Sequence, residues 1–325
     1  MTYAIIGAGL AGLSAANALS ERGGAVVVFD KGRGPGGRMS SRRAETPFGQ
    51  MRFDHGVSYF TAEDRRFRSW LEDMGHEGVV APWTGRFVSI NDTGTQAPLA
   101  GETHWVGVPR MNALIRRMAE DHHVHWSTQI TGLQSTDEGW HLSSTEGQTY
   151  GPFKRVIVAV PAEQAALLLA TVHEDLAKLA ARARSRPCWS VMLAFGEPVS
   201  ADWDGALIET GPLHWCSRER SKPDRERAEA WVLHASRDWS IENLERTPEE
   251  VGDLLVKCFR DLTGAPEPGF VSAHRWRYAQ PEVSSPAPYI WDDDYTLGLC
   301  GDWCGGGMIE AAWLSGLSIV QALGE

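Results

Sequence analysis

The sequence predicts an α/β fold: a Rossmann-type dinucleotide-binding domain interleaved with a smaller mixed α+β domain. Three observations predict it. The chain begins with an apolar strand, a GAGLAG loop and a small-residue helix; the next strand ends in an acid; and a strand, a Gly-Asp pair and a helix close the chain. The 325 residues are 42% apolar and 22% charged, enough for one large core or two ordinary ones. A net charge of −11 argues against nucleic acid as a partner, because neutralising phosphates needs a basic face. No apolar run reaches the ~18 residues of a membrane span. The five cysteines are an odd number without regular spacing, which points to a reducing compartment. With no signal-like leader, the expectation is a soluble cytoplasmic protein.

Tyr3-Ala4-Ile5-Ile6 is the run of a buried parallel strand. In the loop that follows, Gly7 permits the tight turn, Gly9 lets the backbone approach a pyrophosphate, and Gly12 lets helix and strand pack closely. Ala11 lies in the same loop, and the helix N-terminus faces the phosphates with its partial positive charge. Ala15, Ala16 and Ala18 keep the helix close to the sheet. Ala25–Phe29 is the second strand, ending in Asp30, the place of an acid that hydrogen-bonds adenosine ribose; Lys31 adjoins it.

A second glycine cluster, Gly36-Gly37-Arg38-Met39, follows directly. A nicotinamide dehydrogenase has no use for it, whereas FAD, laid extended between two loops, does. The pattern resembles the flavin amine oxidase superfamily, which implies that Arg38 and the Gly37 backbone contact FAD. At the far end Tyr295–Asp302 reads as a strand ending in Gly301-Asp302, and Gly305-Gly306-Gly307 leads into a helix over 309–323. This is similar to the closing flavin signature, which implies that Asp302 meets the ribityl or pyrophosphate end. The helix dipole would then stabilise charge on the reduced ring.

Between these ends the pattern predicts a helix at Asp64–Gly75 and hairpins over Val79–Thr103, with Asn91-Asp92-Thr93-Gly94 as a turn. A helix from Val108 to about Asp121 comes next, and the strand Arg155–Val160, within RVIVAVP, returns to the main sheet. Strands at Trp189–Phe195 and Trp231–Ala235 and a helix at Pro248–Leu262 complete the second domain. The FAD-binding domain is thus expected at 1–57, 104–161 and 273–325, and the substrate domain at 58–103 and 162–272. Several clusters read as ordinary structure: His122, His123 and His125 with no metal, Asp292–Asp294 as a solvated turn, and Arg218–Glu229 as a solvated loop. Arg182, Arg184 and Arg186 read as a helix face, and Cys300 and Cys304 as small buried thiols.

Asp30-Lys31, Gly36–Met39, Asp54-His55-Gly56-Val57-Ser58-Tyr59 and Arg275-Trp276-Arg277-Tyr278 together resemble the renalase family, in particular its bacterial members. The resemblance implies oxidation of 2- and 6-dihydro isomers of NAD(P) to NAD(P)+. Flavin N5 takes the hydride and O2 takes both electrons, giving H2O2. A dihydronicotinamide expels hydride without loss of a proton, so no catalytic acid or base is expected, only two rings held face to face. His55 and Gly56 are candidates for the flavin, and Tyr59, His234 and Trp276 for the substrate, His234 sharing a strand face with Val232. One alternative is an amine oxidase, whose lysine near the flavin is missing from Trp189–Phe195. The others are a redox-neutral flavin mutase, with phosphate-gripping arginines, and a non-enzymatic FAD scaffold. No cysteine suggests covalent attachment, so the expected FAD is non-covalent.

Overall fold

A computed structural model describes residues 1–99, 101–282, 285 and 287–323. Its first sheet has six strands in the order Ile290–Asp292, Leu297–Leu299, Arg155–Val158, Thr2–Ile6, Ala25–Phe29, His123–His125. All pair in parallel except the antiparallel edge strand Ile290–Asp292. Side-chain alternation sends Tyr3, Ile5 and Ile157 to one face, against the helices Leu10–Glu21 and Ile309–Ala322. Ala4, Ile6, Val156 and Val158 point to the other, under the antiparallel sheet Ile130–Thr136, Gly139–Ser144, Thr149–Phe153. The two covering helices touch closely because Gly316 has no side chain: a Cβ there would lie 2.1 Å from the Ala11 carbonyl oxygen.

The second sheet has seven strands, ordered Phe270–Pro281, Ser185–Phe195, Glu229–Ala235, Leu213–Arg218, Gly205–Ile208, Phe87–Ile90, Gln96–Pro98. Trp189, Val191, Leu193, Trp231 and Leu233 pack against helix Pro248–Thr263. That helix is set by a Thr247/Glu250 capping box and stopped by Gly264 in the left-handed region. On the opposite face, Met192, Ala194 and Val232 meet Met51 and Phe53 of the hairpin Arg42–Thr46/Gly49–Phe53.

The packing departs from the sequence reading in places. Helices Ala162–Leu169 and Glu174–Ala180, placed with the substrate domain by sequence, lie on the nucleotide sheet, where Ala162, Ala165, Ala177 and Ala180 fit closely. Strand Phe270–Pro281 belongs to the second sheet up to its end. The helix expected from Val108 is the shorter Ala113–Ala119. Arg182 and Arg184 follow a helix end and Arg186 lies in strand Ser185–Phe195, so the three form no helix face. Arg218, Glu219, Lys222 and Glu229 are buried, so the segment 218–229 is not simply a solvated loop. Asn91 does make the expected turn, its Oδ1 accepting from the N–H of Thr93 and of Thr95. No helix among the described residues is long and apolar enough to cross a membrane.

Candidate active site

A cavity of about 1200 Å³ runs from the glycine loop of the first sheet to the end of the second. Backbone constraint explains its nucleotide end. Gly7 has φ +110°, and a Cβ there would lie 2.4 Å from the Ala159 carbonyl oxygen. At Gly12 a Cβ would come within 1.9 Å of the Gly7 carbonyl oxygen, so this glycine seats helix on strand. Gly9 differs: it is the N-cap of Leu10–Glu21 with no side-chain cap, and a Cβ on it would meet only open space. The first turn of that helix therefore presents free N–H groups to the cavity. Asp30 accepts from the N–H of Ala8 at 2.7 Å and of Gly32 at 2.6 Å, which fixes its carboxylate at the strand end. Lys31 donates to Gln164 at 3.1 Å.

Arg38 and Asp302, singled out from opposite ends of the sequence, form one bidentate pair at 2.6 and 2.8 Å, and Arg38 also donates to the Ala279 carbonyl at 3.1 Å. Gly36 and Gly37 make the turn that delivers the arginine, both at positive φ. Gly56 cannot carry a side chain, because a Cβ would sit 2.0 Å from the Arg38 carbonyl oxygen and 3.2 Å from Trp276 Cζ2.

Gly7, Gly9, Ala11, Asp30, Lys31, Gly37, Arg38, Gly56, Gly301 and Asp302 line this cavity, and so do Tyr59, His234 and Trp276. Gly12 and His55 do not. Gly12 is consumed in packing, and the His55 ring is buried behind the wall. The His55 carbonyl instead supports the wall from behind: it accepts from Trp276 Nε1 at 2.9 Å and faces His234 Nε2 at 3.3 Å. With Nε2 donating, His234 Nδ1 is free to accept from Ser58 Oγ at 3.4 Å. Burial, with help from His274 and Arg42, pushes the His55 imidazole down to about 3, and burial pushes His234 down to about 4. Both rings are therefore neutral near pH 7.

Tyr59 belongs to an aromatic cluster, its ring centroid 3.9 Å from His104 and 4.8 Å from Trp215. The sequence reading missed Trp215 and His214, which also line the cavity. Trp215 Nε1 is buried with no acceptor among the described residues. Alternation along Leu213–Arg218 could have suggested one of them, but not which face is the wall. Cys188 lines the cavity too, yet burial pushes its thiol up to about 12, leaving it protonated and a poor nucleophile. Cys300 is buried, its thiol likewise pushed up to about 12.

A buried ionic cluster lies behind the wall and was also missed. Asp54 accepts from Arg225 at 2.6 Å, from the Met111 N–H at 3.2 Å and from Ser41, with Lys222 at 3.4 Å. Lys222 in turn meets Glu219 at 2.5 Å. Lys222 and Arg225 hold the Asp54 carboxyl down at about 2 against its burial. Lys31 is the one lysine among the cavity-lining residues, and strand Ser185–Phe195 contains none.

Comparison with known proteins agrees with this architecture. Residues 5–74 match an NAD(P)-binding Rossmann-like domain, and residues 95–323 match flavin containing amine oxidoreductase. The fold is similar to a proposed protoporphyrinogen oxidase from an Exiguobacterium species, at TM-score 0.76 and 11% identity over 99% of this chain and 98% of that one. It is similar to cyclohexylamine oxidase from Brevibacterium oxydans at TM-score 0.75 and 13% identity, over 99% and 98% of the two chains. Wild-type putrescine oxidase bound to putrescine aligns at TM-score 0.71 and 12% identity, over 99% of each chain. The fold is thus shared with these proteins, and this chain belongs to the flavin containing amine oxidoreductase family.

Proposed function

We propose that this oxidoreductase binds FAD non-covalently and oxidises 2- and 6-dihydro isomers of NAD(P) to NAD(P)+, with O2 as the electron acceptor and H2O2 as the second product. The nucleotide end suits FAD: open space at Gly9, an uncapped helix N-terminus for pyrophosphate, Asp30 for ribose, and the Arg38–Asp302 pair. A cavity of about 1200 Å³ leaves room for a second ring system beside the cofactor. FAD supplies a hydride acceptor at N5 and a path for both electrons to O2.

The protein's own residues have a narrower task. Trp276 and His234, tied through the His55 carbonyl, form a wall whose orientation is set by two hydrogen bonds. Tyr59 and Trp215 extend the aromatic lining, and the unpaired Trp215 N–H is a donor suited to a carboxamide oxygen. The single observation that carries the reading is that the histidine lining this wall is depressed to about 4, too weak a base for an ammonium, and that no lysine lines the cavity at this end among the described residues. Such a wall holds a ring for hydride transfer but offers no base for a protonated amine.

Family membership favours amine oxidation as a second reading. Anaerobic mixing of the yellow holoprotein with a borohydride-made mixture of dihydronicotinamide isomers separates the two. Bleaching by the minor isomers, but not by ordinary NADH or by amines, supports the first reading; bleaching by amines alone overturns it. The protein is taken to act in the cytoplasm on small molecules, without nucleic acid or membrane as partner.

A further inference from the structure

The substrate side of the cavity carries an excess of positive charge that hydride transfer does not use. Arg186, Arg237, Arg275 and Arg277 line it, whereas the acids in the lining, Asp30 and Asp302, belong to the nucleotide end. Three neighbouring strands bring these arginines together. Arg186 is cross-strand from Gln280, Arg275 and Arg277 flank Trp276 on the same partner strand, and Arg237 follows Glu229–Ala235. The four meet three carboxylates among the described residues, Glu245, Glu282 and Asp238, the last 3.8 Å from Arg237 Nε and largely exposed. Glu245 holds Arg275 at 3.0 Å and Arg277 at 2.8 and 2.9 Å. Glu282 is bonded by Arg237, and it is 3.5 Å from Arg186 Nε. That Nε is buried and has no hydrogen-bond acceptor. In a chain of net charge −11, one guanidinium charge in excess, together with the unpartnered Arg186 Nε, beside the ring-binding wall suits an anion.

We infer that Arg186 and Arg237, backed by Arg277, form a phosphate subsite that grips the ribose-linked phosphate of a nucleotide substrate whose ring lies against Trp276. The inference rests on the dihydronicotinamide reading for the identity of that ring, but the phosphate chemistry stands on the arginines. Gln280, opposite Arg186, lies about 13 Å of strand from Trp276, within reach of a phosphate one sugar removed from the ring and a long guanidinium side chain. A free amine or a nucleoside has nothing to place there, so the subsite would select phosphorylated substrates.

Binding to the oxidised holoenzyme, read from flavin absorbance without turnover, tests this with nicotinamide mononucleotide and nicotinamide riboside as probes. The mononucleotide should bind at least about tenfold more tightly, the scale of one charge-assisted hydrogen bond. Inorganic pyrophosphate should compete with it. The double replacement Arg186→Gln and Arg237→Gln should bring the ratio to within about twofold. Arg86→Gln, which removes an arginine paired with Asp202 outside the cavity, should leave it unchanged. Equal affinities in the wild type, a ratio that survives the double replacement, or no binding of either probe overturns the subsite. A phosphate preference without bleaching by dihydronicotinamides refutes the proposed reaction and keeps the subsite; bleaching without the preference does the reverse.

Discussion

Replacing Asp54 with asparagine tests whether the ionic cluster behind the wall holds the two domains in register. The Asp54 side chain is 1% exposed, those of Lys222 and Arg225 are 0% and 1%, and the four charges of Asp54, Glu219, Lys222 and Arg225 balance. Neutralising Asp54 leaves one buried cation uncompensated: Lys222 keeps Glu219, while Arg225 is left with the carbonyls of Gly107, Pro109 and Pro223. Breaking a buried pair from one side costs about 3–5 kcal/mol. Unfolding entropy of about 2.1 cal/mol/K per residue makes that about 1.5 °C per kcal/mol for this length. Scanning calorimetry should therefore show Asp54→Asn melting about 4–7 °C lower. Arg225→Gln should cost less, because Asp54 would keep Lys222, Ser41 and the Met111 N–H. The acid limb has a definite sign. Asp54 titrates at about 2 when folded against 3.8 when free, so its contribution is present above about pH 4 and is lost as pH falls through 2. A midpoint within a degree of wild type, or a larger loss for Arg225→Gln, would refute the reasoning.

The glycines separate cradle from packing. Gly9→Ala should leave the apoprotein as stable as wild type but weaken flavin retention by about tenfold or more, whereas Gly12→Ala should lower apoprotein stability by more than 1 kcal/mol; equal melting points for the two would contradict the assignment. Trp276→Ala should slow anaerobic flavin reduction while FAD stays bound, and unchanged reduction kinetics would remove Trp276 from the site. His55 and His234 are depressed to about 3 and about 4, so the stability they confer is complete above about pH 6.5 and is lost as pH falls through 4 and then 3. Flavin reduction should accordingly show no histidine limb between pH 6 and 8; a limb there abolished by His234→Ala would give that ring a proton-transfer role.

What could be read from the sequence was whatever is enforced locally. Gly7 and Gly12 are glycine because a carbonyl stands where a Cβ would be, and the spacing to Asp30 follows from one helix and one strand of fixed rise. Trp276 and His234 were reached through motif resemblance and strand alternation, and both lie in the wall. The Asp54 cluster escaped because Asp54 lies more than 160 residues from its partners, and those three, Glu219, Lys222 and Arg225, sit in a charged run with a proline, a pattern that elsewhere means solvent. Asp54, at the end of hairpin Arg42–Thr46/Gly49–Phe53, Trp83 and the Gly107–Pro109 backbone meet that run from separate parts of the chain and make it interior.

The same asymmetry explains His55. Its place beside Gly56 was legible, but not which of its atoms matter: the imidazole is buried away from the cavity lining, and the carbonyl holds Trp276 and His234. A backbone acceptor is independent of residue type, so no motif encodes it. Gly56 is its sequence trace: a Cβ there would strike the Arg38 carbonyl oxygen at 2.0 Å and crowd the Trp276 ring at 3.2 Å, the ring whose Nε1 donates to the carbonyl one residue earlier. The wall is therefore specified by a glycine and a tryptophan 220 residues apart, whose joint meaning exists only after the two sheets have met.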